Sequence, residues 1–384
     1  MTNDPAFNKL WGLRNLANDA DINWPQGAAK YLADSRGGNP NGPKLLVAVI
    51  DSGVDYNHPD LKDMMWKNPG EIAGNGIDDD GNGYIDDVYG VNLLQNGGAK
   101  GDPMDYKNTQ GGGHGTHCAG TMAATVNNGV GIAGVAGIAR GKVEIMAVRA
   151  IPGDFAAILE GINYAIAMGA KLSSNSWGGK AQNTQPNVYI KRILDQNPDH
   201  LFVSAAGNDG EHVTEYSFPQ GIVTGNHLCV AASTPRDQKA GFSNYGTPYV
   251  HVFAPGTEIY STYPQNTYET QQGTSMACPH VSGLAALVMT IRNDLNGAQV
   301  RQLIERNVKP RSQYRGVVTT GGLIDVDATL SEIVDDGNNK PEEPEEPKEP
   351  DNPEEPETPD QPGGTCRDAW GLKTCKTFAY GKNL

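Results

Sequence analysis

Three short segments of the sequence carry the residue types that nucleophilic acyl transfer requires. They stand in the order Asp, His, Ser, as DSG at 51–53, HGTH at 114–117 and GTSMA at 273–277. A hydroxyl attacks an amide only when a base takes its proton and a third group holds that base in the right tautomer. Ser275 can supply the hydroxyl, a histidine of HGTH the base, and Asp51 the orienting carboxylate. The sequence therefore predicts a site for acyl transfer.

The HGTH segment offers two candidate bases, and their spacing does not decide between them. His114 and His117 are three residues apart, so on a helix both could face the same way. Either imidazole therefore remains a candidate at this point.

The elements that flank these segments are expected to bring the functional groups to one edge of a sheet. Residues 45–50 form an unbroken apolar run, typical of a parallel strand buried on both faces, and Asp51 follows its carboxyl end. Ligands of open α/β sheets collect at that edge. Ser275 directly precedes a helical run, 276–291, so its hydroxyl would lie at a helix N-terminus, where the dipole stabilises developing negative charge.

The first 330 residues alternate apolar strands with helical runs, as a doubly wound α/β sheet requires. Asp154 is predicted to cap a helix over 155–168 that closes at Gly169. Further strands are predicted at 143–150, 171–176, 201–206, 228–232 and 250–254. We expect one α/β domain over residues 1–334, with a mostly parallel central sheet and helices on both faces.

The composition changes abruptly at residue 335. Residues 335–360 hold twelve carboxylates and two lysines, and so carry most of the net charge of −15. Such a proline-rich acidic stretch buries too little apolar surface to fold, which predicts a disordered linker over 335–362. Residues 363–384 form a short segment in which Cys366 and Cys375 are predicted to pair if the compartment is oxidising. That segment is either the start of a cysteine-containing module or a disordered tail.

Charge and hydropathy exclude some functions. The strongly negative net charge argues against nucleic-acid binding. There is no run of eighteen apolar residues, so no membrane span is predicted, and no secretory signal is visible at the start of the chain. Cys118, Cys229 and Cys278 lie in apolar or catalytic segments and are predicted to be small buried hydrophobic residues.

The motifs DSG, HGTHCAG (114–120), AAGN (205–208) and GTSMACPH (273–280) occur in the order found in the subtilisin-like proteases, the subtilases. The chain resembles that family over about residues 4–330. The resemblance implies a subtilisin-like three-layer fold and serine endopeptidase activity through an acyl-enzyme. It also implies that His114 is the base and His117 a packed neighbour.

The resemblance implies further site residues. The Asn208 side chain and the Ser275 backbone N–H would donate to the oxyanion of the tetrahedral intermediate. Substrate would bind as an extended strand beside the specificity pocket. The residues expected at that pocket are Ser176, Trp177, Gly178 and Ser217. Ser217 stands at a floor position that is often glycine in the family, which predicts a shallower pocket that prefers medium apolar or polar side chains.

Residues 78–87, DDDGNGYIDD, place oxygen ligands at alternate positions around glycines. Counted from Asp78 they fit positions 1, 3, 5, 6 and 9 of an EF-hand loop, but Tyr89 replaces the bidentate Glu at position 12. Five carboxylates in ten residues repel one another without a cation, so we expect calcium here, with a solvated acidic loop as the alternative. The expected ligands are Asp78, Asp80, Asn82, Tyr84 and Asp86.

A second calcium site is implied by the resemblance alone. Its side-chain ligands would be Asp4, Asp60 and Asn128. Its carbonyl ligands would be those of Val126, Val130 and Ile132. Since this site would tie the N-terminus to the domain, loss of calcium should lower kinetic stability.

The resemblance also implies a setting and partners. We expect a secreted monomer that acts on protein or peptide substrates, in mature form, with the inhibitory prodomain usual in the family absent from this chain. Some subtilases with a cysteine at the position of Cys118 are sensitive to mercurials, so partial inhibition by thiol reagents is expected.

Two other functions remain open at this stage. One is limited proteolysis of chosen partners, with the acidic stretch as a docking element. The other is a catalytically silent, calcium-stabilised binding or adhesion protein. The intact set of Asp51, His114, Asn208 and Ser275 argues against the second, because a binding module does not need all four.

Overall fold

The order of strands and helices follows the alternation seen in the sequence. The computed structural model describes residues 2–39, 41–94 and 101–334. The strands are β1 (Leu45–Asp51), β2 (Gly90–Asn92), β3 (Val143–Arg149), β4 (Leu172–Asn175), β5 (Gly179–Lys180), β6 (Leu201–Ala205), β7 (Ser217–Phe218), β8 (His227–Ser233), β9 (Val252–Pro255), β10 (Ile259–Tyr263), β11 (Thr267–Gln271), β12 (Lys309–Pro310) and β13 (Gly322–Leu323). The helices are α1 (Trp24–Ala33), α2 (His114–Ala123), α3 (Phe155–Ala167), α4 (Gln185–Gln196), α5 (Thr274–Ile291), α6 (Gly297–Arg306) and α7 (Val326–Ser331).

A nine-stranded sheet forms the centre of the described part of the chain. Its order is β12-β13-β9-β8-β6-β4-β1-β3-β2. Every neighbouring pair is parallel except β12 and β13. The mostly parallel sheet expected from the sequence is therefore confirmed, and β1, which ends at Asp51, lies inside it between β4 and β3.

The two faces of the sheet bury alternate residues of β1, because successive side chains of a strand point in opposite directions. Val47 and Val49 belong to a core cluster that also takes in apolar residues of α1, α2, α5, α6 and α7. Ala48 and Ile50 belong to another cluster with residues of α3 and α4. Helices therefore cover both faces, and the expected three-layer α/β arrangement is confirmed.

Helix α3 begins where its sequence signals predict and ends one residue before the predicted end, with Gly169 just beyond it. Asp154 precedes the first helical residue, and its carboxylate accepts a hydrogen bond from Ala157 N at 3.0 Å. The helix ends at Ala167, and Gly169 then adopts a positive φ of 89° that an L side chain rarely adopts.

Helix α5 crosses the core and carries the GTSMA segment at its start. It begins at Thr274, two residues earlier than expected, after Gly273 at a φ of 152°. Among the described helices it is long and apolar enough to cross a bilayer, but 94% of it is buried inside the protein. That burial is typical of a core helix.

The cysteine prediction is confirmed for the described residues, in which Cys118, Cys229 and Cys278 are buried and unpaired. Burial raises the pKa of Cys229 to about 12 and that of Cys278 to about 11, so both are thiols at neutral pH. The linker over 335–362, the segment 363–384 and its disulfide lie outside the described residues.

Candidate active site

The carboxyl end of β1 meets the N-terminus of α2 through a contact between Asp51 and His114. Asp51 is 1% exposed, and its Oδ1 lies 2.7 Å from His114 Nδ1. Ser52 N also donates to Oδ1, whereas Oδ2 has no hydrogen-bond partner among the described residues. Against a carboxylate, Nδ1 must carry the proton, which leaves Nε2 free to accept one. Although burial disfavours a charged ring, Asp51 raises the pKa of His114 well above its ordinary value.

His117, the other histidine of the segment, points away from this pair. It is fully buried, and its Nε2 lies 3.0 Å from Ile259 O and 3.2 Å from Glu269 O. Burial, aided by the charge of His114, lowers the pKa of His117 to about 3, so the ring is neutral and donates. Its environment suits a packed structural residue and offers no path to a substrate proton.

Ser275 lies in the first turn of α5, and its side chain faces the same cavity as His114. The cavity has a volume of about 660 Å³ and is also lined by Asp51 and Asn208. Ser275 Oγ donates to Ser176 O at 3.0 Å. No hydrogen bond joins it to His114 among the described residues, and such contacts are often formed only when substrate is bound.

The Asn208 side chain is held so that its amide nitrogen is free. Asn208 Oδ1 accepts from Thr274 N at 2.8 Å and from Thr274 Oγ1 at 3.0 Å. Because both partners donate, the oxygen faces Thr274 and the Nδ2 protons face away from it. No described residue accepts from Nδ2, and Asn208 lines the cavity beside Ser275. This arrangement can present an N–H donor to an oxyanion.

The four residues expected at the specificity pocket all line this cavity: Ser176, Trp177, Gly178 and Ser217. The Trp177 ring packs against Phe202 and Phe218, with centroids 6.1 and 5.7 Å apart. Strands β5 and β7 pair antiparallel, which sets Lys180 opposite Ser217. The structure thus brings together every residue that the sequence assigned to catalysis or to the pocket.

Gln220 is a pocket residue that the sequence analysis missed. It is 2% exposed, lines the cavity, and donates from Nε2 to Ala205 O at 2.6 Å. Gly178 lies directly above it, since a Cβ at Gly178 would come within 2.2 Å of that nitrogen. The sequence signal was weak, because Gln220 only follows a Phe-Pro pair.

An ion pair at the mouth of the cavity was also missed. Lys180 Nζ lies 2.6 Å from Glu211 Oε2, and both side chains are exposed and line the cavity. They are distant in sequence, so no local pattern links them.

The second expected calcium group assembles around two carboxylates. Asp4 accepts from Asn127 N and Asn128 N, and Asp60, fully buried, accepts from Asn128 Nδ2 at 2.7 Å and Ile132 N at 2.8 Å. Burial, with a smaller contribution from Asp4, raises the pKa of Asp60. Among the described residues, no N–H donates to the carbonyls of Val126, Val130 or Ile132. Paired carboxylates beside free carbonyls suit a hard cation.

In the acidic loop, 78–87, the expected ligands do not all turn toward one centre as they do in an EF-hand loop. Asp78 accepts from Gly81 N, Asn82 N and Gly83 N, and Asp80 accepts from Asn82. Asp86 is bound instead by the three N–H groups of residues 74–76. The Tyr84 hydroxyl donates to Glu160.

Two acidic residues outside the expected set approach Asp80. Carboxylate oxygens of Glu71, Asp80 and Asp87 lie within 4.8 Å of one another. Burial raises the pKa of Asp87, which is fully buried, and desolvation likewise raises that of Glu71. Glu71 lies before the DDDGNGYIDD stretch, so its part in the group was not visible from that motif.

Comparison with known proteins agrees with the fold and with the motifs. Residues 42–341 match the subtilase family. Thermitase from Thermoactinomyces vulgaris is 36% identical over 268 residues, covering 69% of this chain and 81% of thermitase. Subtilisin-like protease 1 from Plasmodium vivax is 31% identical, over 75% of this chain and 47% of its own length. This chain thus spans about half the length of that relative.

A solved structure supports the same conclusion. The structure of a protease from Pseudoalteromonas arctica PAMC 21717 matches 86% of this chain and 99% of its own, with a TM-score of 0.64 and 25% identity. The subtilisin-like fold implied by the motifs is therefore confirmed. Taken together, the family match and these relatives establish that the chain belongs to the subtilase family.

Proposed function

We propose that this chain is a serine endopeptidase that cleaves peptide bonds through an acyl-enzyme. The observation that carries this proposal is the 2.7 Å contact from Asp51 Oδ1 to His114 Nδ1 on a cavity that Ser275 also lines. The contact holds the imidazole so that Nε2 is the proton acceptor. The nucleophile, Ser275, lines the same cavity as His114.

In the first half of the reaction, Ser275 Oγ attacks the scissile carbonyl carbon while His114 Nε2 takes its proton. The Oγ hydrogen bond to Ser176 O must be exchanged for one to His114. The imidazolium that forms is stabilised by Asp51, in keeping with the raised pKa of His114. The Asn208 Nδ2 and Ser275 N–H groups donate to the oxyanion.

In the second half, His114 gives its proton to the leaving amine, and the acyl-enzyme remains on Ser275. A water then attacks the acyl carbon while His114 Nε2 again takes a proton. Collapse of the second tetrahedral intermediate returns that proton to Ser275 Oγ and releases the acid.

Substrate selection is proposed to follow from the edge strand and the polar pocket floor. The main chain of an extended peptide would add beside β5, as in other β-augmentation modes. Ser217 and Gln220 both line the cavity. Their polar side chains would make the pocket shallower and less apolar, which would favour medium apolar or polar side chains. Fastest cleavage after Phe or Tyr in a peptide panel would contradict this preference.

We propose that calcium binds at both acidic groups and acts on stability. Asp4, Asp60 and Asn128, with the carbonyls of Val126, Val130 and Ile132, would hold one ion. Asp78, Asp80 and Asn82, with Tyr84 O and Asp86, remain the proposed ligands of the loop, and Glu71 and Asp87 lie close enough to join them. A bound ion would offset repulsion among these carboxylates.

The setting proposed for the protein is extracellular, where calcium at millimolar concentration fills sites of this kind. Protein or peptide substrates and a monomeric state are proposed as well. Inhibition by a prodomain is proposed by analogy with the family.

The decisive experiment compares the wild type with Ser275→Ala on a denatured protein substrate, with calcium and with a chelator. We expect activity and fluorophosphonate labelling only in the wild type, and faster loss of activity in chelator. A folded wild type that neither labels nor cleaves would support the binding-protein alternative instead.

A further inference from the structure

Asp105 is a buried carboxylate next to the catalytic groups that none of the motifs contains. It is 2% exposed and accepts four hydrogen bonds. Oδ1 accepts from Gly113 N at 2.8 Å and from Ser52 Oγ at 3.3 Å. Oδ2 accepts from Thr116 N at 3.1 Å and from Thr116 Oγ1 at 2.7 Å.

Two of these donors are backbone N–H groups at the start of α2, whose first residue is His114. The first amides of a helix have no intrahelical acceptor and are usually satisfied by a side chain at the N-cap. The N-cap here is Gly113, which has no such side chain. A Cβ at Gly113 would come within 2.1 Å of the Tyr263 ring, so that position cannot carry a capping residue. Asp105 caps the helix from outside it.

The other side of Asp105 is tied to the end of β1. Ser52 directly follows Asp51, and its Oγ donates to Asp105 while accepting from Gly115 N at 2.9 Å. The carboxylate and the Ser52 hydroxyl therefore form a bridge between the strand that ends in Asp51 and the helix that begins with His114.

We propose that Asp105 is a positioning residue that sets the contact between Asp51 and His114. This inference rests on the proposed function, since it assigns a role within that catalytic pair. Asp105 does not touch His114 and acts through the position of the α2 N-terminus. Without it, the first turn of α2 loses its cap and the bridge to β1, and the 2.7 Å contact lengthens.

A longer contact between Asp51 and His114 would change the pKa of His114, whereas general destabilisation of the protein would not. The titratable groups that face His114 are Asp51 from β1, His117 and Cys118 from α2, and Tyr263 from β10. Asp51 raises the pKa of His114, so loss of its alignment must move that pKa down, toward the ordinary value. Partial unfolding would reduce the amount of enzyme but would not move the pKa of the folded fraction.

The test uses Asp105→Asn, which keeps the shape but places an N–H₂ group against donors, and Ser52→Ala, which removes only the hydroxyl bridge. Asp55→Asn is the control, because the buried Asp55 carboxylate accepts from the Asn57 and Gln265 amides, and only the Asp55 backbone N–H, which the substitution keeps, donates to α2. Rates are expressed per active site titrated with a fluorophosphonate, across a pH series.

We expect Asp105→Asn to lower kcat on the order of 10- to 100-fold with KM nearly unchanged, as for a small misplacement of a catalytic group. The acid limb of kcat/KM should shift to lower pH, with a smaller shift in Ser52→Ala and none in Asp55→Asn. If Asp105→Asn kept the kcat of the wild type and its acid limb of kcat/KM did not shift, the proposal would be overturned.

A second readout separates this inference from the proposed function. In a Ser275→Ala background, the His114 pKa is followed by NMR with and without Asp105→Asn. Because Asp105→Asn also removes a charge, the same titration is made with Ser52→Ala, which breaks the bridge without changing the charge. A fall in the His114 pKa in both variants supports the positioning role even if the wild type fails to cleave peptides. An unchanged pKa overturns the role even if the protease assignment holds.

Discussion

Pro279 leaves the carbonyl of Ser275 without its helical donor. It stands four residues after Ser275 inside α5 and has no N–H to give. The Ser275 oxygen instead accepts from Ser176 Oγ at 2.8 Å and from Cys118 Sγ at 3.4 Å. The residue that carries the nucleophile is thereby fixed to the segment after β4 and to α2, which carries the base.

Replacement of Ser176 by alanine should therefore loosen the first turn of α5. We expect a fall of up to about tenfold in kcat/KM and a loss of roughly 1 kcal/mol in the free energy of unfolding, the usual size of one hydrogen bond. Pro279→Ala restores a helical donor to Ser275 O. In that background Ser176→Ala should cost less, which a double-mutant cycle measures. Equal costs in both backgrounds would contradict this account.

Cys118 should react with thiol reagents slowly but with loss of activity. It is 1% exposed, burial raises its pKa, and its Sγ lies 3.9 Å from His114 Nδ1. A mercurial on that sulfur would displace the imidazole. The rate of inactivation is compared between the wild type and Cys118→Val, and we expect the variant to be resistant. An equally sensitive variant would rule out Cys118 as the target.

The acid limb of kcat/KM should lie above the ordinary histidine pKa. Catalysis needs His114 neutral, and Asp51 raises the pKa of His114, so activity falls as pH drops through that raised value. Asp51→Asn removes the charge and the correct tautomer, and should lower kcat about 10⁴-fold while it moves the limb to lower pH. A pH series on both proteins checks this, and an acid limb below pH 6 in the wild type would contradict it.

The sequence predicted the fold well because its signals were local. The apolar run before Asp51 and the Asp154 and Gly169 boundaries of α3 each depend on neighbouring residues, and the structure matches them. The helix α5 starts earlier than expected because Thr274 N is held by Asn208, which is distant in sequence.

The site residues that the sequence missed depend on contacts between distant segments. Asp105 precedes His114 by nine residues without any motif, and Gln220 reaches under Gly178 only because β5 pairs with β7. Residue spacing alone did not choose between His114 and His117, since both stand on one helix; the motif resemblance favoured His114, and the position of Asp51 agrees with that choice.

Buried histidines should make the protein less stable in acid. His200 is hydrogen-bonded to Ala170 O and Ser173 Oγ, and burial lowers its pKa to about 4. His227 is hydrogen-bonded to Ile222 O and Ser204 Oγ, and burial also lowers its pKa to about 4. A depressed histidine pKa contributes stability above the unfolded value, near 6.5, and that stability is lost as pH falls toward 4.

The expected size of this effect is on the order of 1–3 kcal/mol per histidine across that window. Urea unfolding at pH 7, 5.5 and 4 measures it. His200→Gln should flatten the pH dependence, whereas a substitution at the exposed His212 should leave it unchanged. A wild type that is equally stable at pH 7 and pH 4 would contradict the prediction.

We expect the Asp60 carboxylate to stabilise the protein when calcium is bound and to stop stabilising it, or even to destabilise it, when calcium is removed. Asp60 is fully buried, and the nearby charge of Asp4 works against its ionisation. With calcium, Asp60→Asn should shorten the half-life at elevated temperature, because a ligand of the ion is lost. In chelator the same variant should be as stable as the wild type or more so, since one of two repelling carboxylates is gone. Asp63→Asn, at a half-exposed ion pair with Arg140, is the control and should respond equally in both conditions. A half-life of Asp60→Asn that calcium prolongs as much as in the wild type would exclude Asp60 as a ligand.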